Sequence, residues 1–310
     1  MNERRSTKPR VVAFAVGAPT ASGKSAVALD LADRFGMEIV AADAMQVYIG
    51  LDVGTAKPTA AEQARVAHHL IDVVVPSEPF SVAAYVKAAE AAILDAAARG
   101  VACLVVGGTG FYLDALANGL PATPPADPEV QASLWARAER EGVLALHEAL
   151  RAVAPIDAAR ADRNPRRIVR ALEVLERTGR PPSAFGRSEP RVDLDRTWLI
   201  PPMDALEPRI VTRTRAMFDG GLVEEATRLD ERSLATASQA IGYREAALVA
   251  RGALSREAAI DAVVLATRKY ARRQRTWFAR HAAERIFPRL GHEVHGDLAA
   301  WLEQRLPGSA

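Results

Sequence analysis

Apolar residues fall along this chain first in short unbroken runs and later at helical spacing. Val11-Val12-Ala13-Phe14-Ala15-Val16 is apolar at every position, the pattern of a parallel strand covered on both faces. Gly17 and Pro19 break it, and Ala26 to Phe35 follows as an Ala/Leu-rich helical stretch ended by Gly36. Glu38-Ile39-Val40-Ala41-Ala42 predicts a second strand, Val82 to Arg99 a long helix stopped by Gly100, and Ala102 to Val106 a third strand. Strands alternating with helices in this rhythm predict an α/β fold around a parallel sheet.

The rhythm changes after Gly119. Pro121, Pro124, Pro125 and Pro128 mark a linker, and helical periodicity then runs from Glu129 to Arg177 before Gly179-Arg180-Pro181-Pro182 closes the block. Thr197-Trp198-Leu199-Ile200-Pro201 predicts a strand returning to the sheet, and Glu207 to Ala283 is mostly helical. The expected organisation is an α/β core over residues 10–120 and 191–290, a helical insertion over 121–190, and a C-terminal tail over 291–310. No repeat of solenoid type is visible.

Charge adds an asymmetry that the net +2 of the 310 residues conceals. Residues 1–150 carry 12 Lys/Arg against 17 Asp/Glu, and residues 151–310 carry 28 against 21. A basic second half points to an anionic partner, with solvated helix faces as the alternative. The lone Cys103 excludes a disulfide framework and a zinc finger. No apolar run approaches the roughly 20 residues of a membrane span. The basic start, Met1 to Arg10, precedes an apolar run too short for a secretory core. The chain reads as cytoplasmic, with no membrane partner.

The candidate chemistry begins at the end of the first strand. Gly17-Ala18-Pro19-Thr20-Ala21-Ser22-Gly23-Lys24-Ser25 lies between a strand and a helix, the context of a phosphate-binding P-loop. Small residues let backbone N–H groups wrap phosphate oxygens, the helix N-terminus faces the anion, Lys24 adds charge, and Ser25 places a hydroxyl for Mg²⁺. Ala18 stands where the leading glycine is usual, and alanine resists positive φ. A P-loop NTPase holds Mg²⁺ with an acid beyond an apolar strand. Here the third strand runs instead into Gly107-Gly108-Thr109-Gly110, and the acid, Asp43, follows the second strand. A small-molecule kinase stays open on the loop alone.

Several segments in order resemble the tRNA dimethylallyltransferase family. They are Pro19 to Ser25, Asp43-Ala44-Met45-Gln46-Val47-Tyr48, Gly54-Thr55-Ala56-Lys57-Pro58, His68-His69-Leu70-Ile71-Asp72 and Gly107 to Tyr112. Arg167 to Glu173, Ala240-Ile241-Gly242-Tyr243-Arg244 and Arg272-Arg273-Gln274-Arg275-Thr276-Trp277-Phe278 complete the set. The resemblance implies a P-loop NTPase-like parallel-sheet core with a helical insertion. It implies transfer of a dimethylallyl group from dimethylallyl diphosphate to N6 of the adenosine 3′ of the anticodon, by a monomer using Mg²⁺ at Ser25. On this reading residues Gly17 to Ser25 hold the diphosphate. Lys24 neutralises the leaving group, Thr109 donates to it, and Asp43 takes the N6 proton.

The resemblance further implies contacts to the tRNA anticodon stem-loop from Asp43, Ala44, Met45, Gln46, Thr109, Arg166, Arg167, Arg170, Gln239, Gly242, Tyr243, Arg244, Arg272, Arg273 and Gln274. A loop base must leave its stack before its N6 is reachable, and the surrounding backbone asks for positive charge. Trp277 and Phe278 read as core, His68 and His69 as structural, and Lys57 as either a turn residue or a phosphate contact. The chain departs from the family pattern at Ala18, at Ala44 in place of a serine, and at Asp162-Arg163-Asn164-Pro165. An adenylate isopentenyltransferase, with the same chemistry on a free nucleotide, needs neither the insertion nor the C-terminal Arg run.

Overall fold

The computed structural model describes residues 10–306. Of the basic start only Arg10 lies within them, and residues 307–310 of the expected tail lie outside. Six strands among the described residues, β1 (Val11–Gly17), β2 (Glu38–Ala41), β3 (His68–His69), β4 (Cys103–Gly107), β5 (Val192–Leu199) and β6 (Arg285–Phe287), form one sheet in the order β3-β2-β4-β1-β5-β6. Every neighbouring pair is parallel; Gly17 lies opposite Gly107 on β4 and Trp198 on β5. The third strand expected from sequence is thus β4. β3 is only two residues long, too short to leave a hydrophobic pattern.

Alternation along the strands feeds two cores. Phe14, Val16, Leu104 and Val106 face α1 (Lys24–Phe35), whose Ala28 and Leu31 are fully buried. Ala13, Ala15, Val40 and Val105 face the other side, with Tyr85 and Ile93 of α3 (Val82–Ala98). Between them in the chain, α2 (Ala60–Arg65) starts at a capping box in which Thr59 and Glu62 satisfy each other's backbone N–H. α4 (Gly110–Asn118) follows β4 directly. Both faces of a parallel sheet must be covered, which explains why β1 and β4 read as continuous apolar runs.

Residues 118–189 form a separate compact unit. Its helices are α5 (Pro128–Glu141), α6 (Val143–Val153), α7 (Pro155–Ala161) and α8 (Pro165–Thr178), around Leu146, Leu150 and Ile168. Glu173 of α8 is fully buried and accepts from the Asp127 N–H (2.6 Å) and Gln131 Nε2 (2.8 Å), with Arg170 Nη1 paired at 2.8 Å. Burial raises its carboxyl pKa, but these donors prevail and hold it below the ordinary range. Arg170 also donates to Thr123 Oγ1 (3.2 Å) and the Pro124 carbonyl. The guanidinium of Arg170, expected at the tRNA, is thus engaged inside its own unit.

The other unit continues with α9 (Met203–Asp219), α10 (Leu222–Thr227), α11 (Glu231–Ala237), α12 (Tyr243–Ala250) and α13 (Arg256–Arg280), which share a core with the Val47–Leu51 segment. Residues 291–306, within the expected tail, are built into the fold. They form a short turn and α14 (His295–Glu303), and Trp301 packs edge-on against Phe14 of β1 with ring centroids 5.5 Å apart. No helix among the described residues is long and apolar enough to cross a membrane.

Candidate active site

The loop between β1 and α1 is held from several sides. Ala18 is fully buried, and its N–H donates to the Gly107 carbonyl at the tip of β4 (3.2 Å). The left-handed positions of the loop are Ala21 (φ 63°) and Gly23 (φ 83°), so the strain expected at Ala18 falls on Ala21 instead. Gly23 caps α1 without a side chain; the Lys24 N–H reaches Ser22 Oγ at 3.4 Å and the Val27 N–H the Gly23 carbonyl, so Ser25 and Ala26 offer their N–H groups to another acceptor. Gln274 of α13 is buried and spans two loops, accepting from the Thr20 N–H and donating to the Gly108 carbonyl, both at 2.8 Å. Gln274 also lines the cleft described below, so one residue both ties the two loops and faces that space.

Two residues that sequence reasoning missed complete the loop. From α9, Arg213 Nη1 donates to Thr20 Oγ1 (2.9 Å) and Arg209 Nε to the Ala21 carbonyl (2.7 Å). They are one helical turn apart, on the side of α9 that carries buried Ile210 and Thr214. That spacing was their only signal, and it is diluted among many arginines. Lys24 is half-buried. Burial, then the charge of Arg213, pulls its ammonium down to about 8 against the opposing effect of Asp43. Burial likewise holds Arg213 below its ordinary value, with Asp43 again opposing. Two half-buried cations lining the same cleft form a site that an anion relieves.

Asp43 follows β2 and is half-buried. Its Oδ1 accepts from the Met45 N–H (2.9 Å) and the Gln46 N–H (3.4 Å), so it caps its own turn. No described residue hydrogen-bonds Oδ2. Thr109, between β4 and α4, accepts the Ala44 N–H on Oγ1 (3.1 Å). Gln46 Nε2 donates to the carbonyls of Thr55 (3.2 Å) and Ala56 (3.1 Å). That loop is pinned from behind by buried Glu225, which accepts the N–H groups of Asp52, Val53 and Gly54 at 2.8–3.1 Å.

These groups surround one cleft of about 550 Å³, at the carboxyl ends of β1, β2 and β4, where ligands sit in open α/β sheets. Of the expected loop contacts, Thr20, Ala21, Gly23, Lys24 and Ser25 line it. Gly17, Ala18, Pro19 and Ser22 are buried and do not. Asp43, Ala44, Met45 and Gln46 line it, as do Gln239 and Arg273, while Thr109 stands behind Ala44. Arg273 lies over the ring of Tyr270, 5.7 Å from its centroid. Burial raises the Tyr270 phenol well above its ordinary value.

The remaining expected contacts are elsewhere. Tyr243 is fully buried and donates its hydroxyl to Glu225 Oε1 (2.5 Å), and Gly242 is buried beside it. Neither lines the cleft. Arg244 and Arg272 are exposed, Arg272 beside Glu207 at 3.4 Å. Arg166 and Arg167 are exposed on the first turn of α8 in the separate unit. Lys57 is no phosphate contact, since its enclosed ammonium bonds Asp52, Asp72 and the Tyr48 carbonyl at 2.5–2.9 Å. His69 meets Glu38 and His68 the Val66 carbonyl, both at 2.7 Å. Among the described residues no three His, Cys, Asp or Glu gather as a metal cluster.

Residues 46–281 match the family described as IPP transferase, and residues 11–75 that described as isopentenyl transferase. The chain is 48% identical over 293 residues to the tRNA dimethylallyltransferase of Deinococcus radiodurans, covering 93% of this chain and 95% of that one. Among solved structures, the full-length tRNA isopentenylpyrophosphate transferase of Bacillus halodurans gives a TM-score of 0.66 at 36% identity, covering 96% of this chain and 98% of that one. A eukaryotic dimethylallyltransferase acting on tRNA gives 0.71 at 25% identity, over 86% and 70%.

Proposed function

The chain belongs to the tRNA dimethylallyltransferase family, and from that premise we propose that its cleft moves a dimethylallyl group from dimethylallyl diphosphate to N6 of the adenosine 3′ of a tRNA anticodon. The observation that carries the site assignment is the meeting of Lys24 and Arg213, two half-buried cations, with Asp43 in one cleft. The diphosphate lies on the N–H groups at the start of α1, between Lys24 and Arg213. The adenine enters past Asp43, Met45 and Gln46.

The N6 lone pair forms a bond to the allylic carbon as the carbon–oxygen bond breaks and its electron pair leaves with the diphosphate. Lys24 and Arg213 stabilise the charge that develops there. Asp43, with Oδ1 held by its own turn, takes the N6 proton on Oδ2. An exocyclic amine is a poor nucleophile, so fixed positions supply much of the rate. Mg²⁺ fits the hard oxygen donors here. The Ser25 hydroxyl at the cleft would hold it, and it would add charge neutralisation to the diphosphate. One chain supplies every group used, so a monomer suffices.

The test is transfer of label from dimethylallyl diphosphate to tRNA, with AMP as competing acceptor and a kinase mixture as control. Label on tRNA alone supports the proposal. Label on AMP moves the chain to free-nucleotide chemistry.

A further inference from the structure

The phosphate loop is braced from a place that the sequence sets aside as a tail. Gly291, between β6 and α14, donates its N–H to the Ser22 carbonyl at 2.9 Å. Its α-carbon lies so close to the loop that an added Cβ would stand 2.6 Å from the Gly23 carbonyl oxygen, 2.9 Å from its carbon and 3.1 Å from Val27 Cγ1. The first two are backbone atoms of the residue that opens α1, so the loop or the segment has to shift. Thr20, Ala21 and Ser22 therefore have outside partners in Arg213, Arg209 and Gly291. The first two partners come from α9; the third is anchored by Trp301 against Phe14, 5.5 Å between centroids.

We propose that Gly291 is a positioning residue for the diphosphate loop, and that docking of the C-terminal segment sets the affinity for the donor. The inference rests on the reading that Thr20 to Ser25 hold the diphosphate. The loop's N–H groups have to point at phosphate oxygens within a few tenths of an ångström to bond them well. Gly291 touches the loop and not the ligand, so it acts on donor binding through Ser22 and Gly23. Binding and docking are linked, and a ligand that orders the loop also holds the segment.

Gly291→Ala is compared with Gly296→Ala, where nothing lies within 4 Å of an added Cβ. Titration with inorganic diphosphate is expected to show about tenfold weaker binding in Gly291→Ala, the scale of sub-ångström misplacement, and wild-type binding in Gly296→Ala. The KM for dimethylallyl diphosphate rises in parallel, while kcat at saturating donor and the KM for tRNA stay within about twofold. Wild-type diphosphate affinity in Gly291→Ala overturns the inference. Failure of the wild-type chain to bind inorganic diphosphate overturns the loop reading instead. Should Gly291→Ala not fold, hydrogen exchange on the wild-type chain decides: inorganic diphosphate slows exchange over residues 289–294 if the linkage holds, and an unchanged rate refutes it.

Discussion

Ala44 donates its backbone N–H to Thr109 Oγ1 across 3.1 Å, tying the residue after Asp43 to the glycine-rich turn beyond β4. With one lone pair so engaged, the Thr109 hydroxyl still has its proton to donate. The same bond fixes where Asp43 stands. Thr109→Val is expected to lower kcat by about tenfold or more and Thr109→Ser to recover most of it, read in single-turnover transfer. Equal losses in both variants would leave only a packing role for the side chain.

Lys24 carries the clearest pH signature. Its pKa is lowered to about 8 by burial and by Arg213, so the free protein holds the ammonium below that value and loses it above. Donor affinity is expected to be flat toward pH 7 and to fall as pH rises through about 8. Lys24→Met binds the donor weakly at every pH and lacks that fall, with a transfer loss of about 2–4 kcal/mol. Titration calorimetry with dimethylallyl diphosphate from pH 6.5 to 9.5 checks it; a fall of equal size in Lys24→Met would assign it elsewhere.

Asp43→Asn keeps the turn, because an amide oxygen accepts the Met45 N–H as a carboxylate oxygen does. It removes the proton acceptor. The chemical step is expected to slow by roughly 10² or more with tRNA affinity within a few-fold. Rapid-quench single turnovers give the first quantity and filter binding the second; an unchanged rate removes the general base.

The exposed arginines predict a salt effect. Each phosphate contact adds about 0.7–0.9 to the slope of log affinity against log salt. Arg167→Ala with Arg273→Ala is expected to weaken tRNA binding and flatten the slope by roughly one to two, leaving donor affinity unchanged. Arg170→Ala acts differently. It strands buried Glu173, so it lowers the thermal stability of its unit by an amount that a neutral surface substitution does not.

Glu225 supports the wall of the cleft from behind. Glu225→Gln turns one acceptor oxygen into a donor facing backbone N–H groups. The expected cost is about 1–3 kcal/mol in urea unfolding. Because Gln46 bonds the same loop, the KM for tRNA rises as well.

The sequence by itself determined the parallel sheet, the strand–loop–helix junction after β1, the place of Asp43 beyond a strand, and the separate helical block. Each is written in contiguous residues: an unbroken apolar run, a strand–loop–helix junction with Gly23-Lys24-Ser25, an acid after a strand, a proline-marked boundary. Tertiary structure alone decided which arginines and which glutamine hold the loop after β1. Arg213 and Gln274 reach Thr20 from positions 193 and 254 residues away. Arg170, Tyr243 and Lys57 turn inward onto Glu173, Glu225 and two aspartates. A long polar side chain carries the same letter whether it faces solvent, a ligand or a buried carboxylate. Its role follows from the direction in which its helix packs, and packing is fixed by residues distant in the chain. The C-terminal segment shows the same point, since nothing local in residues 291–306 announces that Gly291 rests on Gly23.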